Sequence, residues 1–237
     1  MSIKEKSDNI ESNNLSSPPA GGDRSIAIIK YNAGNVQSVQ YALQRLGVES
    51  VVTDDETIIR NASKVIFPGV GHANAAMQYL KERGLDKVII SLQQPVLGIC
   101  LGLQLLCNHS EEGDTKCMGI FDTEVKLFES VFSPPLSGFP AKGTKVVHGR
   151  GLKIPQIGWN NIYGYQSVLF DGIKENEFVY TVHSYYAAIN NETTAKTDYT
   201  LPYSAALQKN NFYAVQFHPE KSGKVGEIIL QNFIQLP

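Results

Sequence analysis

The chain has 237 residues, 42% of them hydrophobic, and 21 Lys and Arg against 23 Asp and Glu give a formal net charge of −2. That length carries one large domain or at most two small ones, and the near-neutral charge gives nucleic acid no electrostatic reason to be the main partner. No run approaches the ~20 apolar residues of a membrane span and residues 1–24 lack the apolar segment of a secretory signal, so a soluble, cytoplasmic protein is expected.

Residues 1–24 are rich in Ser, Asn, Pro, Gly and charge, and are expected to form a disordered tail, leaving 25–237 as the domain. Ile26-Ala27-Ile28-Ile29 is wholly apolar, as in a strand covered on both faces. After the turn residues 31–35, Val36, Val39, Leu43 and Leu46 recur at helical spacing up to Gly47. Further strands are expected at 48–52, 64–67 and 95–99, and helices at about 74–83 and 101–108. This alternation indicates βαβ units around a mainly parallel sheet.

The second half holds shorter apolar runs, at 118–121, 124–127, 178–182, 203–207 and 212–217. They are expected to form antiparallel hairpins added at the sheet edge. Residues 129–154 are weakly patterned and long for a plain connection, which suggests a mobile insertion or a functional loop. A closing helix is expected at about 225–234. The fold class is therefore α/β, with a central mainly parallel sheet flanked by helices and an antiparallel addition in the C-terminal half.

The strongest local signal is Gly98-Ile99-Cys100-Leu101-Gly102, between an apolar strand and a helix. Such an elbow is strained, so the nucleophile's flanks must be small. The helix N-terminus offers unpaired N–H groups, which lower a thiol pKa and can hold an oxyanion at the N–H of Leu101. A thiol nucleophile needs a base and an orienting group. Of His72, His109, His148, His183 and His218, His218 stands out: it ends an apolar strand and is followed two residues later by a carboxylate, Glu220. In extended chain the two side chains would face the same way. Pro68-Gly69-Val70-Gly71, at a strand end, could offer further backbone N–H groups to an anion. Cys107 falls on the core side of the same helix as Cys100, and Cys117 has no evident role. No C-x-x-C pair suggests zinc, and neither metal nor cofactor is expected.

Together, P-G-V-G, G-I-C-L-G-L-Q-L-L and H-P-E resemble the class I glutamine amidotransferases. Tyr31-Asn32-Ala33-Gly34-Asn35, residues 110–113, 155–160, 182–186 and Lys221 narrow the likeness to glutaminase subunits of imidazole glycerol phosphate synthase. The resemblance implies that Cys100 attacks the carboxamide of L-glutamine, that His218 carries the proton and that Glu220 orients His218. It implies an oxyanion site at Leu101 and Gly69, Val70 and Gly71. Gln104 and Glu112 would bind the glutamine head group, and the Ser184-Tyr185 backbone would meet the α-carboxylate. It further implies a heterodimer with a (β/α)8-barrel cyclase subunit, which receives the ammonia across a face containing Lys221, Trp159 and Asn160. Where many members read D-Y-G-x-G-N, this chain has Lys30 and Asn32, which bears on that face and not on the chemistry. Three alternatives remain: a class I glutaminase serving another synthase, a silent module keeping the fold, and a cysteine hydrolase that works alone.

Overall fold

The computed structural model describes residues 25–32, 34–129 and 153–237; the expected tail and most of the 129–154 segment lie outside the described residues. The first half runs β1 (Ile26–Ile29), α1 (Val36–Arg45), β2 (Ser50–Thr53), α2 (Glu56–Asn61), β3 (Lys64–Phe67), α3 (Ala73–Glu82), α4 (Leu85–Ile90), β4 (Val96–Ile99) and α5 (Leu101–Leu106). There follow β5 (His109–Ser110), β6 (Thr115–Lys116), β7 (Glu124–Leu127), β8 (Gln156–Asn161), β9 (Phe178–His183), β10 (Tyr185–Ala187), β11 (Thr193–Asp198), β12 (Pro202–Lys209), β13 (Phe212–Val215) and α6 (Gly223–Ile234).

The main sheet has the order β11-β12-β13-β4-β3-β1-β2. From β13 to β2 every pairing is parallel, while β12 and β11 continue the sheet antiparallel. The strands are apolar throughout because both faces are covered. Ala27, Ile29, Val65 and Phe67 pack against α3, α4 and α5. Ile26, Ile28, Ile66 and Ile99 point the other way, onto α1 and α6. The period of two along each strand thus feeds two cores, one per face. A smaller sheet, β10-β7-β5-β6, and the β8–β9 ribbon are separate from the main one. The parallel strands β1, β3, β4 and β13 are neighbours. Their carboxyl ends bring residues 30–32, Gly34, Asn35, 68–71, Cys100 and 216–220 to one edge, where open α/β sheets bind ligands.

Several expectations need correction. The helix begun at Leu101 stops at Leu106 rather than 108. Residues 118–121 form no strand: Met118 N–H donates to Leu105 O at 2.9 Å and Ile120 N–H to Leu106 O at 2.9 Å. The segment satisfies the orphan carbonyls at the end of α5, which a hydrogen-bonded strand could not do. Only 203–207 and 212–217 build the hairpin on the sheet edge; 124–127 and 178–182 join the two smaller sheets. α2 and α4, six residues each, are too short to display a helical period.

Gly102 sets how closely α5 sits on β3. A Cβ there would lie 1.9 Å from the Phe67 carbonyl oxygen, which belongs to rigid backbone. Gly102→Ala is expected to lower the unfolding free energy by about 3 kcal/mol through this overlap. Urea denaturation measures it, and an unchanged midpoint would mean that α5 can slide off β3 without cost.

Candidate active site

Cys100 sits between β4 and α5 with φ 55 and ψ −108, a left-handed conformation unusual for a residue with a side chain. Its N–H is held by Val215 O of β13 at 2.8 Å, which fixes the elbow from the neighbouring strand. The sulfur is buried, 3.9 Å from Val182 O and 3.8 Å from Gln216 Nε2.

His218 follows β13 directly, and Glu220 lies on the 3₁₀ turn Pro219–Lys221. The expected pairing is present at 2.8 Å, Nδ1 to Oε1, with both side chains buried. A turn and not extended chain brings the two together, which corrects the strand geometry expected for them. Ser222 Oγ clamps that turn by donating to His218 O at 2.6 Å and accepting from Tyr180 N at 3.0 Å. His218 Nε2 is buried and has no hydrogen-bond partner among the described residues. Burial pulls the imidazole pKa down, but Cys100 and Glu220 outweigh it and hold the ring up to about 10. The arrangement therefore favours an imidazolium wherever Cys100 is a thiolate.

A cavity of about 190 Å³ opens beside the sulfur. Val70, Gly71, Leu101, Gln104, Glu112, Ser184 and Tyr185 line it with Cys100, and Pro155, Val182 and His183 complete the wall. Gly69 does not line it. Gln104 Nε2 donates to Tyr185 O at 2.9 Å and Gln216 Oε1 at 3.1 Å. Both amide protons are thereby spent, so Gln104 offers the cavity an acceptor and not the donor–acceptor pair expected of it. Glu112 Oε2 accepts the first N–H of α3, from Ala73, at 2.6 Å, and a carboxylate keeps further acceptor capacity. The Leu101 N–H, expected to face an oxyanion, donates to Gly69 O at 3.2 Å. Tyr31, missed in the sequence, donates from Oη to Pro68 O at 2.7 Å and so braces the same loop.

Trp159 and Lys221 lie by Tyr180, which is bound through its carbonyl to His218 N–H at 2.9 Å. Trp159 meets the Tyr180 ring edge-on at 6.0 Å, and Lys221 Nζ lies 5.9 Å from that ring's centre. Ile157, Trp159 and Phe178 on the β8–β9 ribbon are 63%, 57% and 55% exposed. Asn160 Nδ2 donates to Asp198 O at 2.8 Å. Lys30 donates its N–H to Thr53 O at 2.8 Å, and Asn32 Nδ2 reaches Ala75 O at 3.5 Å. Of the other histidines, His72 caps α3, His109 lies between Asp114 and Glu124, and His148 falls outside the described residues. Cys107 and Cys117 are buried; burial pushes the first thiol well up and the second to about 12. Among the described residues no group of His, Cys, Asp and Glu could hold a metal, and no helix is long and apolar enough to cross a membrane.

The sequence singled out His218 but passed over His183, whose Nδ1 bonds Tyr185 O at 2.8 Å and whose Nε2 faces Tyr203 Oη at 3.2 Å. Burial, helped by the charge of His218, lowers its pKa to about 4. The unfolded value is about 6.5, so between these limits the unfolded chain binds a proton that the folded one does not. Stability therefore falls as pH drops through this window, by about 3 kcal/mol from this group. Unfolding curves of wild type and His183→Gln at pH 7 and pH 4 measure it. Wild type should lose the larger amount; equal losses would contradict the assignment.

Known proteins resemble this chain. Residues 27–236 match the family Glutamine amidotransferase class-I. Imidazole glycerol phosphate synthase subunit HisH of Bacteroides fragilis is 54% identical over 211 residues, 89% of this chain and 99% of that one. The Haemophilus influenzae subunit of the same name is 42% identical over 89% of this chain and 96% of that one. Crystal structures of a glutamine amidotransferase (TM-score 0.60, 15% identity, 89% and 97% of the two chains) and of another from Thermotoga maritima (0.55, 14%, 88% and 81%) share the fold. The chain belongs to the class I glutamine amidotransferase family, in the group of imidazole glycerol phosphate synthase HisH subunits.

Proposed function

We propose that this chain hydrolyses L-glutamine through Cys100, His218 and Glu220 and hands the ammonia to a cyclase subunit that makes imidazole glycerol phosphate. The observation that carries the reading is the buried 2.8 Å bond between His218 and Glu220, in the same site as a sulfur on a left-handed elbow that lines a small cavity.

The Cys100 thiolate attacks the side-chain carbonyl carbon of glutamine. His218, as imidazolium, gives its Nε2 proton to the leaving nitrogen, and ammonia departs from a glutamyl thioester. Water, deprotonated by the now neutral His218, attacks the thioester, and glutamate leaves as the thiolate reforms. Glu220 accepts from the ring at Nδ1 and holds it in place, the role of the third member of a triad. Glu112 and the Gln104 carbonyl suit the substrate's α-ammonium, and the backbone at Ser184 and Tyr185 suits its α-carboxylate.

One of the expected oxyanion donors, the Leu101 N–H, is engaged by Gly69 O in this state. Turnover therefore requires the loop from Gly69 to Gly71 to release that N–H. The proposed agent of release is the partner, a (β/α)8-barrel cyclase in a cytoplasmic heterodimer. Support for its docking face is the exposed apolar surface of Ile157, Trp159 and Phe178, with Lys221 close by, since apolar side chains clustered in the open mark interaction sites. Beside its main product, the cyclase would release an aminoimidazole-carboxamide ribotide, a step of histidine biosynthesis.

Cys100→Ala is expected to abolish glutamate release, a loss of at least about 1,000-fold, while leaving the melting temperature and cyclase binding unchanged. Glutamate assay, calorimetry and titration with the cyclase check these together. Retained hydrolysis in the variant would remove Cys100 from the mechanism.

A further inference from the structure

Asn35 breaks two local rules at once. It is the N-cap of α1, yet its side chain caps nothing, and its backbone is left-handed with φ 73 and ψ 7. An N-cap amide ordinarily accepts a bond from a first-turn N–H. Left-handed backbone is costly for residues other than glycine, although Asn tolerates it better than most. Local rules broken together point to a task elsewhere in the fold.

That task lies 185 residues away in sequence: Asn35 Nδ2 donates to Glu220 Oε1. The same oxygen accepts from His218 Nδ1 at 2.8 Å. Asn35 Nδ2 also lies 3.5 Å from His218 Nδ1, but that nitrogen's proton is committed to Glu220 and it cannot accept. Glu220 Oε2 is buried without a hydrogen-bond partner among the described residues. A carboxylate held by one donor is free to swing about its last torsion. A second donor from another direction fixes it, and with it the ring that it orients.

We infer that Asn35 is the positioning residue of the triad, its amide holding the Glu220 carboxylate in the orientation that aims His218 at Cys100. This rests on the glutaminase reading of the site. It goes further by drawing the turn after β1 into the catalytic machinery and by making that machinery four residues deep.

The plainer account is that Asn35 is present only because the turn needs a left-handed residue. Asn35→Gly separates the two. Glycine adopts this backbone freely and serves as an N-cap, so only the amide is lost. Asn35→Asp keeps size and backbone tolerance but sets one carboxylate against another. Both variants and wild type are assayed for glutamate release in complex with the cyclase and its nucleotide. Melting temperature and the rate of Cys100 alkylation by iodoacetamide are measured on the chain alone. Alkylation reads Cys100 selectively, because Cys100 lines the cavity whereas Cys107 and Cys117 do not and have their thiols pushed up.

In both variants kcat should fall about 10- to 100-fold with KM changed less than about threefold. Asn35→Gly should keep its melting temperature and alkylate more slowly than wild type. Wild-type kcat and alkylation in Asn35→Gly would overturn the inference, as would a loss of kcat matched by a loss of melting temperature. If the wild-type complex released no glutamate while Asn35→Gly still alkylated slowly, the glutaminase reading would fall and the positioning role would stand.

Discussion

The backbone at Cys100 is the constraint from which the rest of the site follows. A left-handed residue between β4 and α5 throws the sulfur above the carboxyl ends of the parallel strands. It can do so only if the helix starts at once and lies close to the sheet. That requires bare backbone at Gly102 beneath the Phe67 carbonyl, and a Cβ at Gly98 would press on the backbone of α5 at 3.1 Å. Once the elbow is fixed, the strands on either side of β4 decide what can reach the sulfur. β13 delivers His218 and β3 delivers the loop from Pro68 to Gly71.

Two networks converge there with different character. One is the buried chain of the proposed triad, with His218 on Glu220 and Glu220 on Asn35. On the proposed oxyanion side the Leu101 N–H is given to Gly69 O and Tyr31 holds Pro68 O. A nucleophile that is ready beside donors that are not is a natural point of control, since charge developing on the oxyanion would find no preorganised partner. Tyr31 and Asn35 share one turn and touch the two networks separately.

Much of this was legible in the sequence because it is local. The elbow is five consecutive residues, and the His218 and Glu220 pair spans three. The apolar runs that became β1, β3 and β4 announce strands covered on both faces. What escaped was set by tertiary contact. Asn35 looks like an ordinary turn residue until Glu220 arrives beside it. Gln104 seemed to offer both polar roles, until Tyr185 O and Gln216 Oε1 took its protons. Residues 118–121 carry a strand's apolar pattern, but the open end of α5 claimed their N–H groups first. Local propensity states which structures are affordable, and the neighbouring carbonyls choose among them.

The central claim is that the triad is ready in the isolated chain and the oxyanion site is not. The most direct test is the rate of glutamate release from glutamine by the chain alone, with the cyclase subunit, and with that subunit plus its nucleotide ligand. The account predicts little activity alone and a rise of at least about 100-fold in the full complex, the worth of one or more oxyanion donors. Equal rates in all three would contradict it, and would mean that the bond from Leu101 to Gly69 opens without any partner.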